Sequence, residues 1–332
     1  MAQLGNLLVT GAAKFLNNIY VNKSVTAPTF IGNLQGQADS AASIDWSGIR
    51  NYALSHNVPR LVGKDLTKYY NDGTLWQRLN GTNGFSRFED IYVGDYFQMS
   101  RPISAKNPDS TQQLTGSQWV TIISINGLMR NGNENSSDIN FPHLVMAPGK
   151  GINSGVYHFG RSRMNATNTT VGGYKNSELN TVVIGEVVTE GSTAEDATIN
   201  QQLYAEFGSH LKTTKELVSN SINATGNNRL GTNSGCANNW EWIDAQAILM
   251  SEVEVYGATV WSSSGYDTGN ANHQFELFKY DKSAINNRSA WHWLKDVVSA
   301  SHFCYCHYNG SSYYAAASYS WGCVRPRFVL GA

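Results

Sequence analysis

His302, Cys304, Cys306 and His307 fall in one short run and are the side chains best suited to hold a soft metal ion. Zinc knuckles space their cysteines more widely than Cys-x-Cys, and no second ligand pair of matching spacing follows. The residue types fit better as buried small thiols on one face of a strand. Glu252 and Glu254 alternate, so a strand would set both carboxylates on one face, and that face reads as solvated. Glu186 and Glu190 read as loop charges. Gly-x-Ser-x-Gly, Gly-x-x-x-x-Gly-Lys, Gly-x-Gly-x-x-Gly and His-Glu-x-x-His are all missing from the sequence. No cofactor or metal is therefore expected, and no catalytic set.

Residues 299–323 carry a different chemistry. They contain five Tyr and six Ser but no Lys, Arg, Asp, Glu, Gln, Met, Leu, Ile or Val. Tyrosine supplies a large rigid contact at low entropic cost, and Ser, Gly and Asn supply adaptable hydrogen bonds, so the composition is that of a paratope. Substituting the two adenines of an Asn codon reaches every residue type here except that of Trp321.

The chain of 332 residues is 41% hydrophobic, 11% aromatic and only 15% charged, against roughly 25% charged in ordinary soluble domains. Its 24 basic and 25 acidic residues leave a net charge of -1, which argues against a surface built to neutralise phosphates. No apolar run approaches the roughly 18 residues of a membrane span. The opening residues lack the basic and apolar regions of a secretory signal. Cys236, Cys304, Cys306 and Cys323 would pair only in an oxidising compartment. Outward-facing composition without a secretion signal points to assembly inside a cell and later release, as in virions.

Residues 1–45 alternate short apolar runs with Gly, Asn and Thr and cannot form a core alone. They read as an extended segment that winds around identical copies. The globular pattern occupies 46–332. Asp90–Phe97, Val120–Ile125, Leu144–Met146 and Gln246–Met250 read as strands, as does Glu252–Tyr256. Ser192-Thr-Ala-Glu195 has the form of a capping box. It introduces a helix whose Ile199, Leu203, Phe207 and Leu211 share one face, and Thr214–Ser221 reads as a second, short helix. Long loops are expected at 226–239 and 262–272. The fold class is α+β with few helices, short strands and long loops.

The run Ser289-Ala-Trp-His-Trp-Leu294-Lys-Asp-Val, the window after it, and Val324-Arg-Pro-Arg-Phe-Val-Leu330 together resemble the end of C-type-lectin-fold variable proteins. These are targets of diversity-generating retroelements, common in phages and prophages. Lys68–Thr74, Phe88–Tyr96, Met164–Tyr174 and Met250–Gly257 are similar to blocks of the same phage tail family. Gly5–Gly11 and Gly32–Gly36 are similar to tail-fibre shaft repeats. The resemblance implies a C-type-lectin-like, formylglycine-generating-enzyme-like domain after an N-terminal attachment and trimerisation segment, with a variable region at about 290–325. It implies a frame that includes Trp293, Leu294, Val324, Phe328 and Val329.

The display positions it implies are His292, His302, Tyr305, His307, Tyr308, Tyr313, Tyr314, Ala315, Tyr319, Trp321 and Cys323. Strand alternation would turn Cys304 and Cys306 inward and Phe303, Tyr305 and His307 outward. The Glu-Pro-Asn, Gln-Pro-Asp and Trp-Asn-Asp motifs of calcium-dependent sugar-binding lectins do not occur. The expected function is a non-enzymatic, homotrimeric receptor-binding adhesin at a virion tail tip. Its partners would be a host cell-surface protein or glycan, identical copies and other tail proteins, without nucleic acid or membrane insertion. The rivals are a structural tail or baseplate subunit, which would bury 299–323 against a partner, and a formylglycine-generating-like oxidase, which needs thiols poised near neutral pH.

Overall fold

The computed structural model describes residues 63–106, 108–109, 114–129, 139–150, 156–190, 198–219, 240–262, 273–285 and 290–332. The expected N-terminal segment, the Ser192–Glu195 cap, Cys236 and most of the two long loops lie outside them. The described residues all belong to one unit, Pro59–Ala332.

The fold is mixed α+β with short helices and antiparallel sheets. Five α-helices, Thr67–Asn71 (α1), Thr74–Asn80 (α2), Ile199–Phe207 (α3), Glu252–Tyr256 (α4) and Glu276–Tyr280 (α5), appear among the described residues. The first strands are Tyr96–Gln98 (β1), Trp119–Ile125 (β2), His143–Pro148 (β3), Leu211–Lys212 (β4), Thr214–Ser219 (β5), Trp240–Ala245 (β6) and Ala247–Leu249 (β7). His292–Ser299 (β8), His302–Cys306 (β9), Ser312–Ala316 (β10) and Pro326–Gly331 (β11) follow.

The largest sheet runs β1-β2-β3-β11-β4, and β7 also pairs with β11. β8, β9 and β10 form a second sheet, and β5 with β6 a third. β11 is thus an interior strand, with β3 on one side and β4 and β7 on the other. Its continuous apolar run suits that place, because both of its faces are covered. Phe328 and Leu330 join Val120, Ile122, Leu144 and Met146 in one core. Val329 joins Ile123, Val145 and Ala147 in the other.

Several elements differ from the expectation. α3 begins after Thr198, whose hydroxyl accepts the Gln201 amide while the Gln201 side chain returns to the Thr198 amide. Ile199, Leu203 and Phe207 do share the core face, but Gly208 ends the helix and Leu211 lies in β4. The expected helix at 214–221 is instead strand β5. Its Thr214, Glu216 and Val218 are buried while Lys215 and Leu217 are half-buried, the period-two pattern of a strand. Only Tyr96 and Phe97 of the expected Asp90–Phe97 strand join a sheet. The rest turns tightly, with Phe88 and Asp90 at positive φ, and the Asp95 carboxylate accepts the Lys64 and Tyr92 amides.

Glu252 and Glu254 are neither in a strand nor solvated. Ser251 caps α4 and Glu254 closes the capping box, so both carboxylates are buried in a helix that ends at Gly257, φ 80°.

Candidate functional site

The window occupies β9, β10 and the turns that follow each. β9 pairs with β10 so that Tyr305 stands opposite Tyr313, Cys304 opposite Tyr314 and Phe303 opposite Ala315. The connecting turn uses Gly310 at φ 87°. Asn309 Oδ1 fixes it by accepting the Ser311 amide at 3.0 Å and the Ser311 hydroxyl at 2.7 Å. An Asn side chain that bonds its own backbone two residues on is a turn former in its own right.

Of the expected display residues, Tyr308, Tyr313, Tyr319 and Trp321 are 48–49% exposed. His302, Tyr305, His307, Tyr314 and Ala315 are half-buried. His292 and Cys323 are not on the display face. They are 2% and 1% exposed and pair with each other through a backbone bridge inside the frame. Phe303 is fully buried rather than outward, because β9 is covered on both faces. Phe303 enters one core, and Cys304 and Cys306 enter the other. Their expected inward turn is therefore what the structure has.

The aromatic rings touch in a chain. Trp291 lies 4.4 Å from Tyr305 and 5.7 Å from Tyr319, centroid to centroid. Tyr305 lies 5.7 Å from Tyr313, and Tyr313 stacks on Tyr314 at 5.1 Å. His307 meets Tyr308 at 3.9 Å. Trp261 packs edge-on against Tyr314 at 4.8 Å and against Tyr313 at 5.8 Å. Such pairs contribute about 0.5–1.5 kcal/mol beyond burial, enough to hold exposed rings in place. Trp261 and Trp291 were not among the expected site residues. Trp291 was legible from its place between the frame and the window; Trp261 comes from a distant loop and carried no local signal.

Buried groups outside the window hold this face. The Glu252 carboxylate, at 0% exposure, accepts the amides of Val260, Trp261 and Ser262 and the hydroxyls of Ser262 and Ser312. Trp261 Nε1 in turn donates to the Ser312 carbonyl at 3.0 Å. One carboxylate thereby fixes the Trp261 loop to β10.

On the other side, residues 159–170 run along 299–324. Met164 and Asn165 donate to the Ala317 carbonyl, Ser162 to that of Gly322 and Thr170 to that of Ala300. Asn168 Oδ1 accepts both the amide and the hydroxyl of Ser318. Beneath lie Trp293, Leu294, Val324, Phe328 and Val329, all at 0% exposure, with Trp293 Nε1 donating to the Ser162 carbonyl at 2.8 Å.

The electrostatics disfavour charged thiols and histidines in the frame. Burial pushes the Cys306 and Cys323 thiols up to about 11. Burial, followed by the nearby arginines, lowers His158 to about 4, and burial holds His292 well below its ordinary value. Among the described residues no three His, Cys, Asp or Glu side chains converge as a metal site, and no helix is long and apolar enough to cross a membrane.

The chain matches no protein-family model, no curated protein and no solved structure.

Proposed function

We propose that this chain is a receptor-binding adhesin of a phage tail-fibre tip. The single observation that carries the reading is the contrast within residues 290–325. Tyr308, Tyr313, Tyr319 and Trp321 stand half-exposed on a frame whose Trp293, Leu294 and Val324 are fully buried. Such a division between a fixed frame and a displayed surface suits a C-type-lectin-like variable domain. In this reading the N-terminal segment joins three copies and attaches them to other tail proteins, and the displayed face meets a receptor on the host cell.

A purely structural tail subunit would instead cover these rings against a partner. The high thiol pKa values weigh against an oxidase, whose chemistry runs through thiolates.

Replacing Tyr308, Tyr313, Tyr319 and Trp321 together by Ser tests the reading. Attachment to host cells should be lost while the melting temperature stays close to that of the parent, since exposed substitutions usually fall within about 0.5 kcal/mol. Trp293→Ala and Phe328→Ala should each cost about 3–5 kcal/mol. A display variant that melts as badly as Trp293→Ala would make the window core and overturn the assignment.

A further inference from the structure

Among the described residues, Arg161 and Arg325 near the window make no ion pair, whereas Arg78, Arg163 and Arg327 each meet a carboxylate. Arg161 pairs through its backbone with Cys323 and sets its guanidinium over the half-exposed Trp321 ring, 5.0 Å from the centroid. Its side chain also bonds that of Cys323, and its Nε is buried without an acceptor of its own. Arg325, 3% exposed, donates to the Ala284 carbonyl at 3.3 Å and stands over the Tyr157 and Phe278 rings, and its Nε is likewise without an acceptor. His292 Nε2 is a third such atom, on a side chain 2% exposed. Residues 299–323 hold no acidic side chain that could answer either cation. The part-exposed Arg161 guanidinium meets no carboxylate among the described residues, and a ligand carboxylate would supply it with a charge-assisted partner.

The polar groups of the face narrow the ligand further. Ser311 is bonded to Asn309, Ser312 to Glu252, Ser318 to Asn168 and Ser301 to His302. These serine hydroxyls are held within the chain, and the hydroxyls left to a ligand are chiefly those of the exposed tyrosines. What remains is Tyr, Trp and Arg without Lys, Asp or Glu, the composition of a protein–protein hot spot.

We propose that Arg161, seated on Trp321, takes a carboxylate side chain from an acidic surface of a protein receptor. The buried Arg325, which like Arg161 acts on His158, keeps the local potential positive. The proposal rests on the adhesin reading and adds a fixed, charged anchor outside the variable window.

The test measures binding of poly-L-glutamate and of polygalacturonate, equal in charge type but peptide or sugar in backbone, to the immobilised full-length chain in low and high salt. Poly-L-glutamate should bind, more weakly in high salt. Arg161→Gln should weaken it about tenfold, one charge-assisted contact. Arg161→Lys should fall between, because it keeps the charge but not the fork. Trp321→Ala should also weaken binding, and Arg87→Gln, an exposed arginine elsewhere, should not.

An equal loss in Arg87→Gln, absence of poly-L-glutamate binding, or Arg161-dependent binding of polygalacturonate alone would overturn the proposal. Host-cell attachment by the Tyr and Trp display variant separates the two readings. If Arg161→Gln keeps full attachment while the display variant loses it, the adhesin reading stands and the anchor falls.

Discussion

Gly322 lies in the window yet is packed like a core residue. A Cβ there would fall 2.0 Å from Trp293 Nε1 and 2.4 Å from Cε2. Trp293 cannot retreat, because the same Nε1 donates to the Ser162 carbonyl. We therefore predict that Gly322→Ala destabilises the chain by roughly 1–3 kcal/mol, the usual cost of overpacking, read as a lower denaturant midpoint. Tyr319→Ala, only three positions away but 49% exposed, should leave the midpoint nearly unchanged. Neighbouring window residues thus differ in tolerance for a local reason. Ser312 and Ser318, bound to Glu252 and Asn168, belong with Gly322 rather than with the displayed tyrosines. The composition of 299–323 marked the window out from the rest of the chain. It did not separate display from frame, because His292 and Cys323 look no different in sequence from residues that face out.

At the scale of elements, Arg327 joins β11 to two others. It donates to both oxygens of Glu216 on β5, at 3.0 and 2.8 Å, and from Nε to Glu254 on α4 at 2.8 Å. All three side chains are about 1% exposed or less. Burial alone would raise the Glu216 carboxyl, but Arg327, then Lys295, and the hydrogen bonds from Arg327 and Thr214 hold it below its ordinary value. Because the folded value is the lower one, this stabilisation is complete above the ordinary carboxylate pKa, about 4, and is lost as pH falls through the folded value. Arg327→Met takes the guanidinium from two buried carboxylates, leaving Lys295, 3.8 Å from Glu254, as the nearby cation, and should cost about 3–5 kcal/mol at neutral pH. In the variant burial raises the Glu216 carboxyl, so its deficit should shrink on going from neutral pH to pH about 5, where the parent changes little. Urea titrations at the two pH values check this, and a deficit independent of pH would refute it.

The same elements show what the sequence made readable. β2, β3 and β11 were legible because β-branched and apolar residues concentrate there. α4 was misread because Glu252-Val-Glu-Val alternates like a strand, although Ser251, Glu254 and Gly257 spell a cap, a box and a stop. β5 was misread because its inward residues are Thr214 and Glu216, and Glu216 is buried only through Arg327, more than a hundred positions away in the chain.

For the whole molecule, the proposed face offers four half-exposed rings and one proposed anchor, so a single copy should bind modestly. Repeating the face on several copies converts later contacts into intramolecular ones and raises avidity by roughly 10² to 10⁴ without any new contact. Residues 1–45 are the part of the sequence with apolar residues but too few to form a core, which is why the proposed trimer is assigned to them. We predict that light scattering finds the full-length chain as a trimer and a chain starting at Pro59, where the described unit begins, as a monomer. The two forms should melt alike at the transition of the globular unit, since the cores of that unit are made from its own residues. On a receptor-coated surface the shortened chain should dissociate faster by about the avidity factor, whereas the affinity of one copy for soluble receptor should be the same in both. A full-length monomer at micromolar concentration would remove the trimer, and equal dissociation rates would remove its role in attachment.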